Sequence, residues 1–498
     1  MSRNIWTKKL ESTAGERDFS PSSMTLSAPV FLAQQLPGVD PMNTLARIER
    51  AVLLSLLLSS CGCGPSADFV SPMLAGPIII FDIDTLRADH LGCYGYNRPT
   101  SPNIDRLARE SFRFEWAFSQ APDTGPSHSS IFTGLYPSTH GVRHNGTELP
   151  QEANTLAEAL QEAGYRTAAF VDGGYMRSIF GMDQGFEYYQ SYRGEGLESS
   201  GPEVLDFLRK YSHLKFFLLI HTYDVHAPYS SPEPFCSRFS GDSQPSPGFV
   251  PTMRQLDQVR KSAWTHRPIR LSESDLEFTK ARYDGAIRFV DHWIGQFFDE
   301  IKKLGLDQRA TIVLLSDHGE AFQEQGFLQH DRLFAPVTRI PFIIRPPGGV
   351  NETVVSSSIQ SIDLMPTLLE GAGISAMSHL QGRSLMPLLR GGTMRERPAI
   401  SESPYYYEGE GSIVWEGHQL TTTFEDRHPG GQMLFDLEQD PRALRNVLTE
   451  SPQTAATLSA LLAEWKTMVD QRGRTTSETA ATLDETAERE LRALGYIN

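Results

Sequence analysis

Apolar residues in this chain come in short runs separated by polar, loop-forming stretches. Ile78–Ile83, Thr167–Val171, Phe216–Ile220, Thr311–Leu315 and Ile340–Arg345 are rich in β-branched and aromatic residues and show little polar alternation. Strands covered on both faces need no alternation, so these runs predict a buried, largely parallel sheet. Thr155–Glu162 and Leu276–Leu304 instead carry apolar residues at helical spacing, and Gly164 stops the first of them. Strands alternating with helices predict an α/β architecture with helices packed on the sheet. Phe235–Arg270, Pro- and Ser-rich with scattered charge, predicts an exposed insertion that shapes access to a site. From Pro398 onward the pattern changes to short strands, including Met433-Leu434-Phe435-Asp436, followed by two helical stretches. There is no internal repeat and no heptad pattern.

The N-terminus departs from this pattern. Residues 1–41 are mixed and polar without a sustained period, and read as an extension outside the native protein, with translation starting at Met42. Arg47 and Arg50 precede an apolar run, Ala51–Leu58, that ends in Leu58-Ser59-Ser60-Cys61. This run is too short to span a bilayer, which takes about 20 residues. Basic flank, apolar core and small-residue end in that order predict a signal peptide over 42–60. The Leu-Ser-Ser-Cys string resembles a bacterial lipobox, by which Cys61 becomes a lipidated first residue and 61–76 a tether. The expectation is an exported protein, periplasmic or held at a membrane only through Cys61.

Composition narrows the function classes. The chain has 498 residues, 39% of them hydrophobic, and a formal net charge of −16. That charge argues against nucleic-acid binding, which rests on basic patches. Cys61, Cys63, Cys93 and Cys236 show no metal-ligand spacing with histidines, so neither a zinc finger nor a disulfide scaffold is predicted.

Candidate chemistry gathers at the predicted strand ends, where open α/β sheets bind ligands. Asp317 and His318 follow Thr311–Leu315, and a carboxylate beside an imidazole suits a divalent cation. Asp82 and Asp84 end Ile78–Ile83 two apart, on one face. His221, Asp224 and His226 follow Phe216–Ile220; His221 reads as a satisfied core histidine. Thr124-Gly125-Pro126-Ser127-His128 leads into a helix predicted to start near Pro126, whose first N–H groups can face an anion and which Thr124 would otherwise simply cap. Tyr283, Asp284, Arg288 and Asp291 read as helix faces and salt links.

Several of these segments, in order, carry a family resemblance. Ile83-Asp84-Thr85-Leu86-Arg87-Ala88-Asp89-His90-Leu91-Gly92-Cys93-Tyr94-Gly95, followed by Pro99 to Ala108, resembles the opening metal strand of the sulfatase family in the alkaline-phosphatase superfamily. The resemblance implies an alkaline-phosphatase-like α/β fold, with a large, mostly parallel mixed sheet over 77–390 and a smaller α+β subdomain over 391–498. It makes Asp84 a metal ligand and leaves Thr85 where many members have a second Asp. Pro126, Ser127, Thr133 and Gly134 match the nucleophile segment, so Thr124 takes the place of the Cys or Ser that becomes formylglycine, and His128 that of an Arg. A threonine is no substrate for that conversion, but its alkoxide can still attack. Asp172-Gly173-Gly174 stands where many members have a Lys and His pair. His226 and His330 match positions that serve the leaving group or the substrate anion. The implied ligands are Asp84, Asp317, His318 and the Thr124 oxygen, around Ca²⁺ or Mg²⁺ foremost, with Mn²⁺ or Zn²⁺ open. A second cation would use Asp224, His226 and His330. The implied activity is metal-dependent hydrolysis of a sulfate or phosphate ester on a small molecule, glycan or lipid. The alternatives are a phosphoethanolamine-type transferase or phosphodiesterase, and a non-catalytic binding protein.

Overall fold

The computed structural model describes residues 73–241, 245–265, 267–375, 377–403, 409–423, 431–472 and 479–493. Residues 1–72 lie outside it, and with them the predicted leader and Cys61.

Eight strands form one mixed sheet, in the order Thr353–Val355, Phe112–Phe114, Phe342–Arg345, Thr311–Leu315, Ile78–Ile83, Phe216–Thr222, Arg166–Val171, Tyr188–Ser191. Phe342–Arg345 pairs antiparallel with both neighbours, and every other pairing in the sheet is parallel. Every residue of the three central strands is buried, as the lack of alternation predicts. Ile78, Ile80, Phe217, Leu219, Val313 and Leu315 share a core with the helices Leu156–Glu162 and Leu364–Gly371. From the opposite face, Phe81 stacks on Phe297 of the helix Glu273–Lys303 at 5.7 Å. Helices thus cover both faces.

The helix Leu156–Glu162 starts where its capping chemistry dictates. The Thr155 hydroxyl accepts from the Glu158 N–H at 3.1 Å while Glu158 accepts from the Thr155 N–H at 2.8 Å. The run read as one strand over Ile340–Arg345 is two. Pro341 has no N–H for a ladder, so Arg339–Ile340 pairs with Ala117–Phe118 while Phe342–Arg345 joins the large sheet. The insertion is less exposed than its composition suggests. Its helix Met253–Ser262 buries Leu256 and Val259, and Arg260 pairs with Asp331 at 2.8 Å. The folded region also reaches into the stretch read as a tether: Leu74 is buried, and its N–H donates to the Gly371 carbonyl at 2.9 Å.

Four antiparallel strands, Ala399–Ser403, Glu410–Trp415, His418–Thr423 and Met433–Asp436, form a second sheet. Ile413, Leu420 and Leu434 pack against Leu458, Leu462 and Trp465 of the helix Pro452–Arg472. This sheet is tied to the segments just before Thr124 and just after His330: the Glu402 N–H donates to the Gln120 carbonyl at 2.8 Å, and Arg332 pairs with Glu410 at 2.7 Å. Among the described residues, no helix is long and apolar enough to cross a membrane.

Asp284, on the long helix, is a structural anchor. Its carboxylate accepts from His90 Nδ1 at 2.7 Å, Tyr96 Oη at 2.8 Å and Arg98 Nη1 at 2.7 Å. Asp284→Ala leaves these donors without their acceptor and is expected to cost about 3 kcal/mol, read as a lower midpoint in urea. A loss below about 0.5 kcal/mol, the usual range for an isolated surface change, would contradict that role.

Candidate active site

The site forms where adjacent parallel strands end together. Asp84 follows Ile78–Ile83, Asp317 and His318 follow Thr311–Leu315, and these strands are neighbours. Ser316 ties the two exits. Its hydroxyl lies 2.6 Å from the Ile83 and His318 carbonyls and accepts from the Leu86 N–H at 3.0 Å. Thr85 has φ +58, a left-handed backbone that a β-branched residue adopts only under strain. Its N–H donates to Asp317 Oδ1 at 3.3 Å and its carbonyl accepts from Tyr283 Oη at 2.7 Å, contacts that offset the strain. Gln329, just before His330, is likewise left-handed at φ +64.

Thr124 is the first residue of the helix Thr124–Thr133, with Asp123 in the flanking cap position. The predicted start near Pro126 is therefore two residues late, and Thr124 is not the cap. Its hydroxyl is buried and donates to Asp84 Oδ2 at 3.1 Å. The Tyr223 hydroxyl also lies within hydrogen-bonding reach of Thr124.

Asp84, Asp317 and His318 each offer one ligand atom, and these atoms lie within 4.8 Å of one another. Asp84 Oδ1, Asp317 Oδ2 and His318 Nε2 are buried with no hydrogen-bond partner. Three orphaned ligand atoms of this kind, buried together, fit a divalent cation. His318 Nδ1 lies 3.0 Å from the Gly319 carbonyl, which can only accept, so Nδ1 carries a proton. Its Nε2 faces Asp317 Oδ2 at 3.3 Å. Burial alone would lower the imidazole, but Asp317 and then Asp84 raise it, so a bound cation would take the place of a proton at Nε2. Asp317 Oδ1 is committed to the Thr85 and His318 N–H groups, which orients Oδ2 as the free oxygen. Burial and then the Asp84 charge push Asp317 up to about 8. Burial alone would raise Asp84 as well, but His221, His318 and His226 together hold it far below the usual carboxylate range. Two buried carboxylates this close do not both ionise without a counter-charge.

His226 and His330 line the same cleft. The His330 ring lies 4.5 Å from that of His318 and 5.6 Å from that of His226. His226 Nδ1 donates to the Ala227 carbonyl and His330 Nδ1 to the Pro122 carbonyl, each at 2.8 Å, which leaves both Nε2 atoms as acceptors. Burial pushes both imidazoles below their ordinary range. Among the described residues, Asp224 does not group with them as a second ligand set. Its Oδ2 accepts from the Leu197 N–H at 2.8 Å and the Thr222 hydroxyl at 2.7 Å, at the start of the helix Gly196–Tyr211.

His128 lies behind the ligand cluster, fully buried. Its Nδ1 donates to the Thr124 carbonyl at 2.8 Å, and its Nε2 lies 3.0 Å from Asp82 Oδ2. Burial alone would lower its pKa, but Asp82 and then Asp317 outweigh that and hold it at about 9. Asp82 therefore faces His128 and is not a member of the ligand cluster. The reading of His221 as a satisfied core histidine fails. Neither ring nitrogen has a hydrogen-bond partner, and Nε2 lies 3.9 Å from Asp84 Oδ2. Asp172 takes up backbone donors instead of an anion, accepting from the Gly196 and Tyr223 N–H groups at 3.0 and 3.1 Å.

Comparison with known proteins bears on the family and the fold. The family described as Sulfatase matches residues 78–374, and that described as N-sulphoglucosamine sulphohydrolase, C-terminal, matches residues 323–471. An arylsulfatase of Clostridium perfringens is 25% identical over 441 residues, 74% of this chain and 90% of that protein. An N-acetylglucosamine-6-O-sulfatase of Bacteroides thetaiotaomicron is 23% identical over 516 residues, 86% of this chain and 91% of that protein. Among solved structures, a phosphonate monoester hydrolase from Silicibacter pomeroyi superposes with a TM-score of 0.66 at 21% identity, covering 80% of this chain and 96% of that one.

Proposed function

Because this chain belongs to the sulfatase family of ester hydrolases, we propose that it cleaves a sulfate or phosphate-type ester with Thr124 as nucleophile and a divalent cation held by Asp84, Asp317 and His318. One observation carries this reading: the Thr124 hydroxyl touches Asp84 Oδ2 at 3.1 Å, beside the orphaned ligand atoms. When bound there, a cation supplies positive charge that lowers the pKa of a nearby hydroxyl and stabilises charge on the ester oxygens.

The residues themselves account for the remaining steps. Thr124 Oγ1 attacks sulfur or phosphorus while its proton passes to the neutral imidazole of His226 or His330. The ester O–S or O–P bond breaks, and the alcohol leaves with a proton from Nε2 of His226 or His330. Each of these imidazoles must first gain that proton, which the negative charge of the bound ester favours. Water then attacks the Thr124 ester, and the same histidines serve as bases. The first turn of the helix Thr124–Thr133 offers an anion less than its sequence suggests: the Gly125 N–H donates to Asn145 Oδ1 at 2.8 Å, Pro126 has none, and the Ser127 N–H donates to the Asp123 carbonyl at 3.0 Å. The departure at residue 124 favours phosphoryl or phosphonyl transfer as a second reading. A formylglycine hydrate can release its sulfate by collapsing to the aldehyde, whereas a threonine ester must be cleaved at sulfur or phosphorus. Glycans and lipids are the substrate classes this reading includes. The basic flank, apolar core and Leu58 to Cys61 string support export with a lipid at Cys61.

The test is a side-by-side rate assay on aryl sulfate, phosphate monoester, phosphate diester and phosphonate ester, each with Ca²⁺, Mg²⁺, Mn²⁺ and Zn²⁺. At least one ester is expected to turn over only when a cation is present, and the fastest ester decides between sulfur and phosphorus. Cation binding without turnover of any ester would contradict the proposal.

A further inference from the structure

We propose that Asp82 and His128 form a buried pair beneath the site, and that His128 is a positioning residue that holds the Asp317 ligand oxygen and the first turn bearing Thr124. Asp82 lies inside a strand with its side chain 1% exposed, and neither carboxylate oxygen has a hydrogen-bond partner. A buried carboxylate is costly unless a neighbour compensates it. That neighbour is His128 Nε2, at 3.0 Å. The other nitrogen, Nδ1, faces the Thr124 carbonyl at 2.8 Å, and a carbonyl only accepts. Asp317 Oδ2 lies 3.6 Å from the same Nδ1, so the ring stands between carboxylates that belong to, or directly follow, two neighbouring strands.

Geometry links this pair to the chemistry. His128 reaches Thr124 through its carbonyl and Asp317 through the oxygen that offers itself to a cation. Asp82 reaches neither Thr124 nor the ligand cluster, and acts only through His128. The sheet register places Asp82 opposite His221, whose ring lies 5.0 Å from that of His128, so the pair is walled in on that side. The His at 128 and the acid at 82 are thus one unit. Removing either partner leaves the other buried polar group without its neighbour.

This proposal rests on Asp317 being a cation ligand. The test measures Mn²⁺ affinity by calorimetric titration, together with kcat and KM on the fastest ester, for the unaltered full chain, Asp82→Asn, His128→Gln and the double variant. Each single variant is expected to lose about 10–100-fold in Mn²⁺ affinity and in kcat, with KM little changed. The double variant is expected to lose no more than the worse single one, since the pair acts as a unit. A purely structural role would lower the unfolding midpoint without that non-additive loss of affinity. Losses that multiply in the double variant, or single variants that match the unaltered chain, would overturn the pair. Asp82→Asn changes almost no volume and carries the test alone if His128→Gln does not fold. If the unaltered chain binds no Mn²⁺, the cation reading fails first and the proposal falls with it.

Discussion

Thr124→Ala is expected to lower ester turnover by about 10⁴-fold or more while the protein still folds and binds its cation. The attacking atom disappears, but little else changes. Asp123, not Thr124, occupies the cap position of the helix, so helix initiation does not depend on the lost hydroxyl. The Thr124 side chain donates to Asp84 Oδ2, and that carboxylate oxygen becomes available to a cation or to water when the donor is gone. The Tyr223 hydroxyl loses a partner as well, so the stability cost is about 2 kcal/mol, the usual size of two hydrogen bonds. Thr124→Ser keeps a hydroxyl at the same place with one methyl fewer to fix its rotamer, and is expected to retain most of the rate, within about tenfold. Steady-state kinetics with urea unfolding on the same samples separates loss of chemistry from loss of fold. A Thr124→Ala protein as active as the unaltered chain would remove Thr124 from the mechanism.

The second large effect falls on the ligand set. Asp317→Asn is expected to weaken cation binding by about 100-fold or more and to lower turnover in proportion at limiting cation. The amide oxygen of Asn can still accept from the Thr85 and His318 N–H groups, so the loop keeps its shape while the anionic ligand oxygen is lost. The sign of the stability change is informative. Without a cation, Asp84 and Asp317 crowd each other in a buried space, so metal-free Asp317→Asn is expected to unfold at the same temperature as the metal-free unaltered chain or higher. With cation at 100 times its dissociation constant, the unaltered chain gains about 2.7 kcal/mol and moves ahead. Protons compete with the cation for these oxygens, so apparent affinity rises with pH. Differential scanning fluorimetry with and without a chelator measures all three. A metal-free Asp317→Asn protein that is markedly less stable than the metal-free unaltered chain would show that Asp317 is structural.

What was legible in the sequence follows from how local each signal is. Asp84, Asp317 and His318 each end an apolar run, and parallel strands deliver their ends to one place, so these residues could be found without coordinates. The start of the helix at Thr124 was harder to place. Gly125 and Pro126 suggested a later start, whereas Pro is well tolerated in the first helical turn. His221 was misread because a histidine ending an apolar run looks the same whether its nitrogens are satisfied or not. Only the packing shows that both are orphaned beside Asp84 and His128. The partnership of Asp82 with His128 was hidden for a related reason: one residue is in a strand, the other in a helix, 46 positions apart by their numbers. The insertion helix Met253–Ser262 has only Leu256 and Val259 as buried apolar residues, too few to reveal a period, and its anchor to Asp331 is a long-range ion pair.

The most direct test of the central claim is to trap the covalent intermediate. The protein is quenched in acid during turnover of the fastest ester, digested and analysed by mass spectrometry. The peptide containing Thr124 is expected to gain the mass of one sulfuryl, phosphoryl or phosphonyl group, with fragmentation placing it on Thr124 and none in Thr124→Ala. The same added mass on another residue during turnover, or its persistence in Thr124→Ala, would contradict Thr124 as the nucleophile.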